Sequence, residues 1–284
     1  MLISTIQSMD SLPMMKKSGI DAVIVSFEKV SIRTEKKHPL STLKDWKAAC
    51  KENGLELYVN ALKLFMEEEI EFLELFMREC KKIDVNGIYY ADEGVFQIAK
   101  ELGIENKLIY QPETLVTNTP DVRFYLDLGV QSVCLAHELS LHEILEIGKN
   151  CPQAEVLIHG YFSILYSRRP LVSNYLHHLG KEKEKDHYKL IEQTRNEKMP
   201  ILEDETGTHI FSAFPINSYA QIEQLRQCGI ERFRLDNIWM SDEQCAQIAS
   251  TYQKILQNEK FEKHEKISSD HWYGQKTVKK KVNE

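Results

Sequence analysis

The feature of this chain that most restricts its fold is a repeated switch of hydrophobic period. Short apolar runs of strand length alternate with longer stretches whose apolar residues fall three and four apart. The first run, 2–6, leads into a helical pattern that stops at Gly19. The run 22–27 reads as a buried strand, and the helical spacing of Leu43, Trp46, Ala49 and Cys50 within 41–53 closes at Gly54. The alternation continues with strands at 55–61, 87–91, 107–111, 132–136 and 155–158, and helices at 66–82, 95–102, 121–128 and 141–149. Gly19, Gly54, Gly103, Gly129 and Gly229 stand where helices end, positions at which a left-handed backbone costs glycine little. Such βα alternation implies parallel strands with helices outside them.

Residues 174–206 interrupt this rhythm with polar, charged sequence. It resumes with a strand at 209–213, a helix at 219–228, a strand at Arg232–Leu235 and a helix at Asp242–Leu256. A count near eight strands within residues 1–256 favours a closed (β/α)8 TIM-type barrel over an open sheet. The expected organisation is a barrel over 1–256, with 174–206 as a polar insertion late in the barrel, followed by a short C-terminal extension at 257–284. Neither a GxGxxG nor a GxxxxGK motif is present, so a nucleotide-binding open sheet has little support.

With 42% hydrophobic and 28% charged residues, the chain has enough apolar material for a large core. No apolar run approaches the roughly 18 residues of a spanning helix, and the N-terminal residues lack a basic, cleavable leader pattern. The six cysteines, Cys50, Cys80, Cys134, Cys151, Cys228 and Cys245, form no CxxC pair, which argues against a zinc ribbon or a disulfide framework. The expectation is a reduced, cytoplasmic, globular protein with no membrane contact. A net charge of −7 does not favour strong unaided nucleic-acid binding, which draws on a basic face. The one dense basic cluster, Lys276, Lys279, Lys280 and Lys281, reads as a solvated tail.

In a barrel of this kind the loops after the strands build the site. The strand ends offer Glu28 with Arg33, Asn60, Asp92 with Glu93, Gln111 with Glu113, His137 with Glu138, His159, and Asp236 with Asn237. Ionisable groups converging on one mouth shift each other's pKa values and supply acid, base or anion-binding roles. Individually, Asp92 also suits a cap for the helix at 95–102, and Glu138 lies beside the cap at Ser140. Other chemistries find weaker signals. The histidines of His137-Glu138-Leu139-Ser140-Leu141-His142 are five apart, about 140° around a helix, so one face cannot offer both to a zinc ion. There is no GxSxG elbow. Cys134 falls inside a strand and reads as core, and the His177-His178 pair reads as surface.

The stretch from Ala154 to Tyr175, AEVLIHGYFSILYSRRPLVSNY, resembles the signature of the peptidase U32 (collagenase-like) family, E-x-x-x-H-G-x-x-C-x-x-x-S-G-x-C-x-x-S. His159, Gly160, Tyr166-Ser167 and Ser173 fall on matching positions. Further similarities follow in family order at Asp21-Ala22-Val23, Ser31-Ile32-Arg33, Asp92 with Gly94, Thr117-Asn118, Glu138-Leu139-Ser140 and Glu203-Asp204. Phe233-Arg234-Leu235-Asp236 stands where the family has F-K-I-E or F-K-I-D, and Tyr273-Gly-Gln-Lys-Thr277 resembles its short C-terminal segment.

The resemblance carries its own expectations. Family members with a 4Fe–4S cluster place cysteines where this chain has Ser163 and Pro170, and two more in a region that here, at 179–187, holds none. The cluster needs thiolates, so it is expected only in a partner, a longer cysteine-bearing U32 relative forming a hetero-oligomer with this chain. The arginine that precedes Glu-Leu-Ser in the family is here His137. U32-like proteins carry a peptidase label, but members act in oxygen insertion, among them tRNA wobble-uridine 5-hydroxylation with prephenate as co-substrate. The resemblance thus implies a cluster-free subunit in that tRNA modification, touching tRNA through its partner. The alternatives are a U32-type peptidase and a structural partner with a vestigial mouth. The expected catalytic set is His159, Glu138, Asp92 and Asp236; the expected ligand-binding set is Arg33, Asn60, Glu113 and Asn118, with no metal. In these sets Arg33 is a bidentate anchor for a small carboxylate and His159 a general base.

Overall fold

The computed structural model describes residues 1–191, 193, 197–257, 259 and 273. Apart from Gln257, Glu259 and Tyr273, the extension expected at 257–284 lies outside the described residues.

Strand and helix alternate through β1 (Leu2–Thr5), α1 (Leu12–Lys17), β2 (Ala22–Ser26), α2 (Leu43–Glu52), β3 (Glu56–Ala61) and α3 (Ile70–Ile83). The pattern continues through β4 (Gly87–Tyr90), α4 (Glu93–Leu102), β5 (Leu108–Tyr110), α5 (Thr119–Asp127), β6 (Ser132–Cys134), α6 (Leu141–Asn150) and β7 (Ala154–Gly160). After β7 come β8 (Ser163–Ser167), α7 (Leu171–His178), β9 (His187–Ile191), β10 (Lys198–Asp204) and β11 (Gly207–Phe211). The chain then returns through β12 (Ile216–Asn217), α8 (Ile222–Gln227), β13 (Arg232–Leu235) and α9 (Asp242–Leu256).

Each helix has a local cause. In α3 the buried residues Leu73, Phe76, Met77 and Cys80 recur at the three-and-four spacing of one helical face. Ser140 caps α6, with Glu143 returning the bond to the Ser140 backbone, and Ser241 and Gln244 repeat this box at α9. Both boxes satisfy backbone N–H groups that a helix start leaves without partners.

The strands β7, β13, β1, β2, β3, β4, β5 and β6 lie side by side in parallel, and β6 pairs back to β7. This is the closed eight-strand barrel of a TIM-type fold. A continuous apolar layer, including Val23, Val25, Leu57, Val59, Trp46 and Phe76, fills the space between strands and helices. A smaller cluster of Ile3, Ala22, Ile24, Tyr58, Tyr89, Ile109 and Cys134 fills the interior.

That interior also holds charge. Glu155 is fully buried and accepts from the Tyr89 hydroxyl at 3.0 and 2.9 Å. Its carboxylate pairs with Arg232 at 3.3 Å and with Arg234 at 3.4 Å, and the Cys134 thiol lies 3.3 Å away. Register explains the meeting, because Glu155 stands opposite both Arg232 and Cys134. Paired residues in parallel strands present their side chains to the same face.

The run at 209–213, expected as a barrel strand, is a correction. It falls in β11, which pairs antiparallel with β8 and β10 in a separate sheet ordered β8-β11-β10-β9. Alternation marks a half-buried strand but carries nothing about which neighbour it pairs with. The polar stretch 174–206 includes β9, β10 and the end of α7.

This second sheet covers the C-terminal mouth of the barrel. Leu202, Phe211 and Ile238 form an apolar contact joined by Tyr161 and Trp239. Lys37 reaches Asp204 at 2.7 Å and Glu205 at 2.6 Å. Arg168 donates to the Leu64 carbonyl at 2.9 Å and to Glu69 at 3.0 Å, and Glu69 also holds Lys63 at 2.6 Å. Gly207 permits the tight β10–β11 turn: its φ is +126°, and a Cβ there would meet the Ser167 carbonyl oxygen at 2.2 Å.

Two stability outcomes follow. Glu155→Gln leaves two buried guanidinium groups short of their shared anion, so urea unfolding should show a loss of about 3–5 kcal/mol; a loss under about 1 kcal/mol would show that the arginines find other partners. Gly207→Ala should cost more than about 1 kcal/mol in the same measurement, through backbone strain and the clash on β8.

Candidate functional site at the barrel mouth

The loop after β2 is fastened before it reaches the mouth. The Ser31 hydroxyl accepts from the Phe27 N–H at 2.7 Å and donates to the Asn60 carbonyl at 2.6 Å. The Asn60 amide donates to the Ile32 carbonyl at 2.9 Å, and its oxygen accepts from the Leu62 N–H at 3.2 Å. Arg33 follows with a left-handed backbone, φ 56°. Opposite it, Gln111 leaves the end of β5, and Glu113 is also left-handed, φ 70°. Non-glycine residues hold such conformations only where the surroundings impose them, often at ligand sites.

Glu113 is the hub of the mouth. One carboxylate oxygen meets Arg33 at 2.9 Å and accepts from the Gln111 side-chain amide at 2.6 Å. The other faces His137 Nδ1 at 3.2 Å. Across the ring, His137 Nε2 lies 3.4 Å from the Arg234 guanidinium. His137 Nδ1 is buried and, although it faces the carboxylate, has no hydrogen-bond partner among the described residues. His137 also stacks on Phe162 at 5.0 Å. Arg234 therefore spans the barrel from Glu155 below to His137 above, with Asp236 at 3.8 Å.

Burial alone would raise the Glu113 pKa, but Arg33, His137 and Arg234 outweigh it and hold the carboxyl at about 2. Burial pushes His137 down to about 4, with Glu113 opposing and the two arginines adding to the fall. Asp236 moves the other way: burial raises its pKa, Arg234 opposes, and nearby Glu113 adds to the rise. Carboxyl groups with oppositely displaced pKa values thus share one mouth, an arrangement able to hold an anion and exchange a proton.

A cavity of about 320 Å3 opens here. Arg33, Gln111 and Glu113 supply polar wall, while Leu62, Leu64, Leu115 and Leu165 supply apolar wall. Tyr166 of β8 closes one side, its ring parallel to His209 at 4.5 Å. A larger recess of about 850 Å3 lies at the opposite end of the barrel, around Met1, Asp21 and Glu231. The mouth is the better candidate because the ion pairs and displaced pKa values converge there.

The structure brings together Arg33 and Glu113, with Asp236 on the far side of Arg234. Asn60 supports the Arg33 loop from beneath. The remaining expected residues stand elsewhere. His159 is fully buried and pairs in register with Leu235 of the outer apolar layer. Its ring packs 5.8 Å from Tyr219 and 6.1 Å from Tyr252, on the helix-facing side of β7. Asp92 caps α4 through the Gly94 N–H and accepts from the Phe65 N–H, each at 2.8 Å. Asn118 is exposed and caps α5 through the Asp121 N–H at 3.0 Å. Glu138 is exposed beside His137. Among the described residues, no three His, Cys, Asp or Glu side chains gather as a metal site would require.

Sequence reading passed over Arg234 and Tyr166 as site residues. The signal for Arg234 was available, because Arg232, Arg234 and Asp236 alternate in an otherwise apolar strand and so share one face. Gly160 is also explained: its φ is +141°, and a Cβ would meet the Asp236 Cβ at 2.9 Å.

A closed barrel of this kind defines a TIM-type α/β protein. Comparison with known proteins narrows the class. The profile of peptidase family U32 matches residues 7–283, so the chain belongs to that family. It is 25% identical over 263 residues to tRNA hydroxylation protein P2 of Bacillus subtilis strain 168, covering 90% of this chain and 85% of that protein. It is 24% identical over 235 residues to tRNA hydroxylation protein P of Escherichia coli K12, covering 65% of this chain and 52% of that longer protein. A solved U32 peptidase structure superposes with a TM-score of 0.51 at 11% identity, over 83% of this chain and 91% of that one, a likeness of fold.

The displaced pKa values set a pH profile. Glu113 lies below its ordinary value of 4.5, so its contribution is present above that pH and lost as pH falls toward about 2. His137 lies below 6.5, so between pH 6.5 and about 4 the unfolded chain takes up a proton that the folded one refuses. Both make acid destabilising. Melting temperatures should fall steadily from pH 7 to pH 4, with His137→Gln flattening part of the fall; an unchanged slope in that variant would remove His137 from this role.

Proposed function

We propose that this chain is the cluster-free component of a tRNA wobble-uridine 5-hydroxylation system. The observation that carries the reading is the match along 90% of the chain to a protein named for tRNA hydroxylation, over 85% of that protein's length. The mouth supports it chemically. Arg33, backed by Glu113 and Gln111 beside an apolar wall, suits a small carboxylate, for which prephenate is the co-substrate the family resemblance implies. Asp236, with its raised pKa, is the group placed to hold or give a proton.

A 4Fe–4S cluster does not fit the residues present. Ser163 opens β8 and Pro170 precedes α7 where thiolates would be needed. The chain's own cysteines lie apart, in α2, α3, β6, α9 and the ends of α6 and α8. On this proposal the cluster belongs to a longer cysteine-bearing U32 partner in the cytoplasm, which also makes most of the tRNA contact. The net charge of −7 agrees with that division of labour.

Nucleoside mass spectrometry of bulk tRNA tests the reading. A strain lacking the gene should lose 5-hydroxyuridine derivatives, the wild-type gene should restore them, and Arg33→Ala should not, while its product still accumulates as folded protein. Unchanged tRNA in the deletion strain would overturn the role and bring forward hydrolysis of peptide bonds. Co-expression with a cysteine-bearing relative should yield a co-eluting complex on size exclusion; separate elution would overturn the partnership.

A further inference from the structure

The helical layer of the barrel carries a recess of about 780 Å3 between α2 and α3. Both helices turn apolar residues inward: Leu43, Trp46 and Cys50 of α2 are buried, as are Phe76, Met77 and Cys80 of α3. Lys44, Lys47 and Lys51 recur three and four apart and so share a different face of α2, the one that walls the recess. Lys82 of α3 adds a fourth lysine, and Glu79 is the one carboxylate among the described residues that line it. Glu79 is engaged by Lys82 at 3.1 Å, and Lys47 donates to the Asn86 side chain at 2.7 Å. Lys44 and Lys51 are exposed, and among the described residues neither has a carboxylate partner. In a chain of net charge −7, this is a local concentration of uncompensated positive charge.

The floor between these lysines is apolar. Ala48, Leu75 and Ile83 line it, and Leu75 is 49% exposed. An apolar centre inside a charged rim is the anatomy of a protein interface. A nucleic-acid strand has little use for such a floor, because no aromatic ring or arginine stands among the described lining residues to stack on a base. An amphipathic helix does use it, with apolar side chains three and four apart against the floor and carboxylates on its flanks against the lysines. The chain's own terminal residues Lys276, Lys279, Lys280 and Lys281 carry the same charge as the rim and are not complementary to it.

We propose that the recess between α2 and α3 is a docking surface for an acidic amphipathic helix of a partner protein. Leu75, Ala48 and Ile83 take its apolar stripe, while Lys44 and Lys51 hold carboxylates on its flanks. The small side chain of Ala48 lets the incoming helix approach α2 closely. This surface shares no lining residue with the mouth, so its occupancy is tested apart from the mouth's chemistry and from the tRNA role.

Fluorescence anisotropy of the full chain with labelled synthetic peptides provides the test. The probe is a helical peptide of about fourteen residues, the span of α3, with leucines three and four apart and glutamate elsewhere. One control replaces its glutamates by lysine, and another replaces its leucines by serine. The wild type should bind the acidic probe, bind the serine control at least about tenfold more weakly, and leave the lysine control free. Lys44→Glu combined with Lys51→Glu should abolish binding of the acidic probe and admit the lysine control, because reversing the rim reverses its complement. Leu75→Ser should weaken the acidic probe by about tenfold and still exclude the lysine control. Circular dichroism checks that each variant is folded, as exposed substitutions of this kind should be. Should the reversed pair not fold, Lys44→Gln with Lys51→Gln should lower affinity for the acidic probe in the same direction. No binding of the acidic probe, equal binding of the serine control, or affinity unchanged in the lysine variants would each overturn the inference. So would two other results: binding of bulk tRNA tighter than the probe and lost in the lysine variants, which makes the face an RNA surface, or self-association in sedimentation that those variants abolish, which gives the face to a second copy.

Discussion

Glu155 takes a carboxylate into the centre of the barrel, where it is shielded from water on all sides. A buried anion of this kind is tolerable only if cations and donors surround it. Here Arg232, Arg234 and the Tyr89 hydroxyl meet it from β13 and β4. Three strands that are remote in sequence are thereby held to one register, since a slip of one residue would turn either arginine out into the apolar helical layer. The mouth inherits this constraint. Arg234 is anchored below by Glu155, and its upper edge sets the position of His137 and, through His137, of Glu113.

The second consequence is electrostatic. Arg33, Arg232 and Arg234 face Glu113, Glu155 and Asp236 within one enclosed column, and charges at such separations interact strongly in a low-dielectric interior. The column separates two carboxyl groups by function. Glu113 sits among cations that outweigh its burial and stays ionised, whereas burial, with Glu113 nearby, raises the Asp236 pKa against the opposing Arg234. The β8–β11 sheet completes the enclosure. It is attached through Lys37 with Asp204, and Arg168 with Glu69, and its Tyr166 forms part of the cavity wall.

Legibility in the sequence followed the physical range of each signal. The barrel strands before residue 160 and the helices between them were readable because burial on both faces of a parallel strand leaves an apolar run, and burial of one helical face leaves a three-and-four period. The strand at 209–213 was detected but misplaced, since β11 alternates like any half-buried strand while its partners β8 and β10 lie in a different sheet. His159 shows the same limit at one residue. A histidine at the end of a barrel strand is a natural site candidate, yet the irregular register between Arg234 and Leu235 turns it toward Tyr219 and Tyr252.

The sequence by itself determined the closed parallel barrel, the family, and the presence of Arg33, Glu113 and Asp236 at one end of it, because hydrophobic period and motif order are properties of the chain read in line. Tertiary structure alone decided that His137 and Arg234 are carried to Glu113, that His159 is turned away from that group, and that an antiparallel sheet roofs the mouth. Each of those outcomes depends on distances between residues far apart in the chain. Such distances are set by strand register and by the need to pair every buried charge, and no local pattern encodes them.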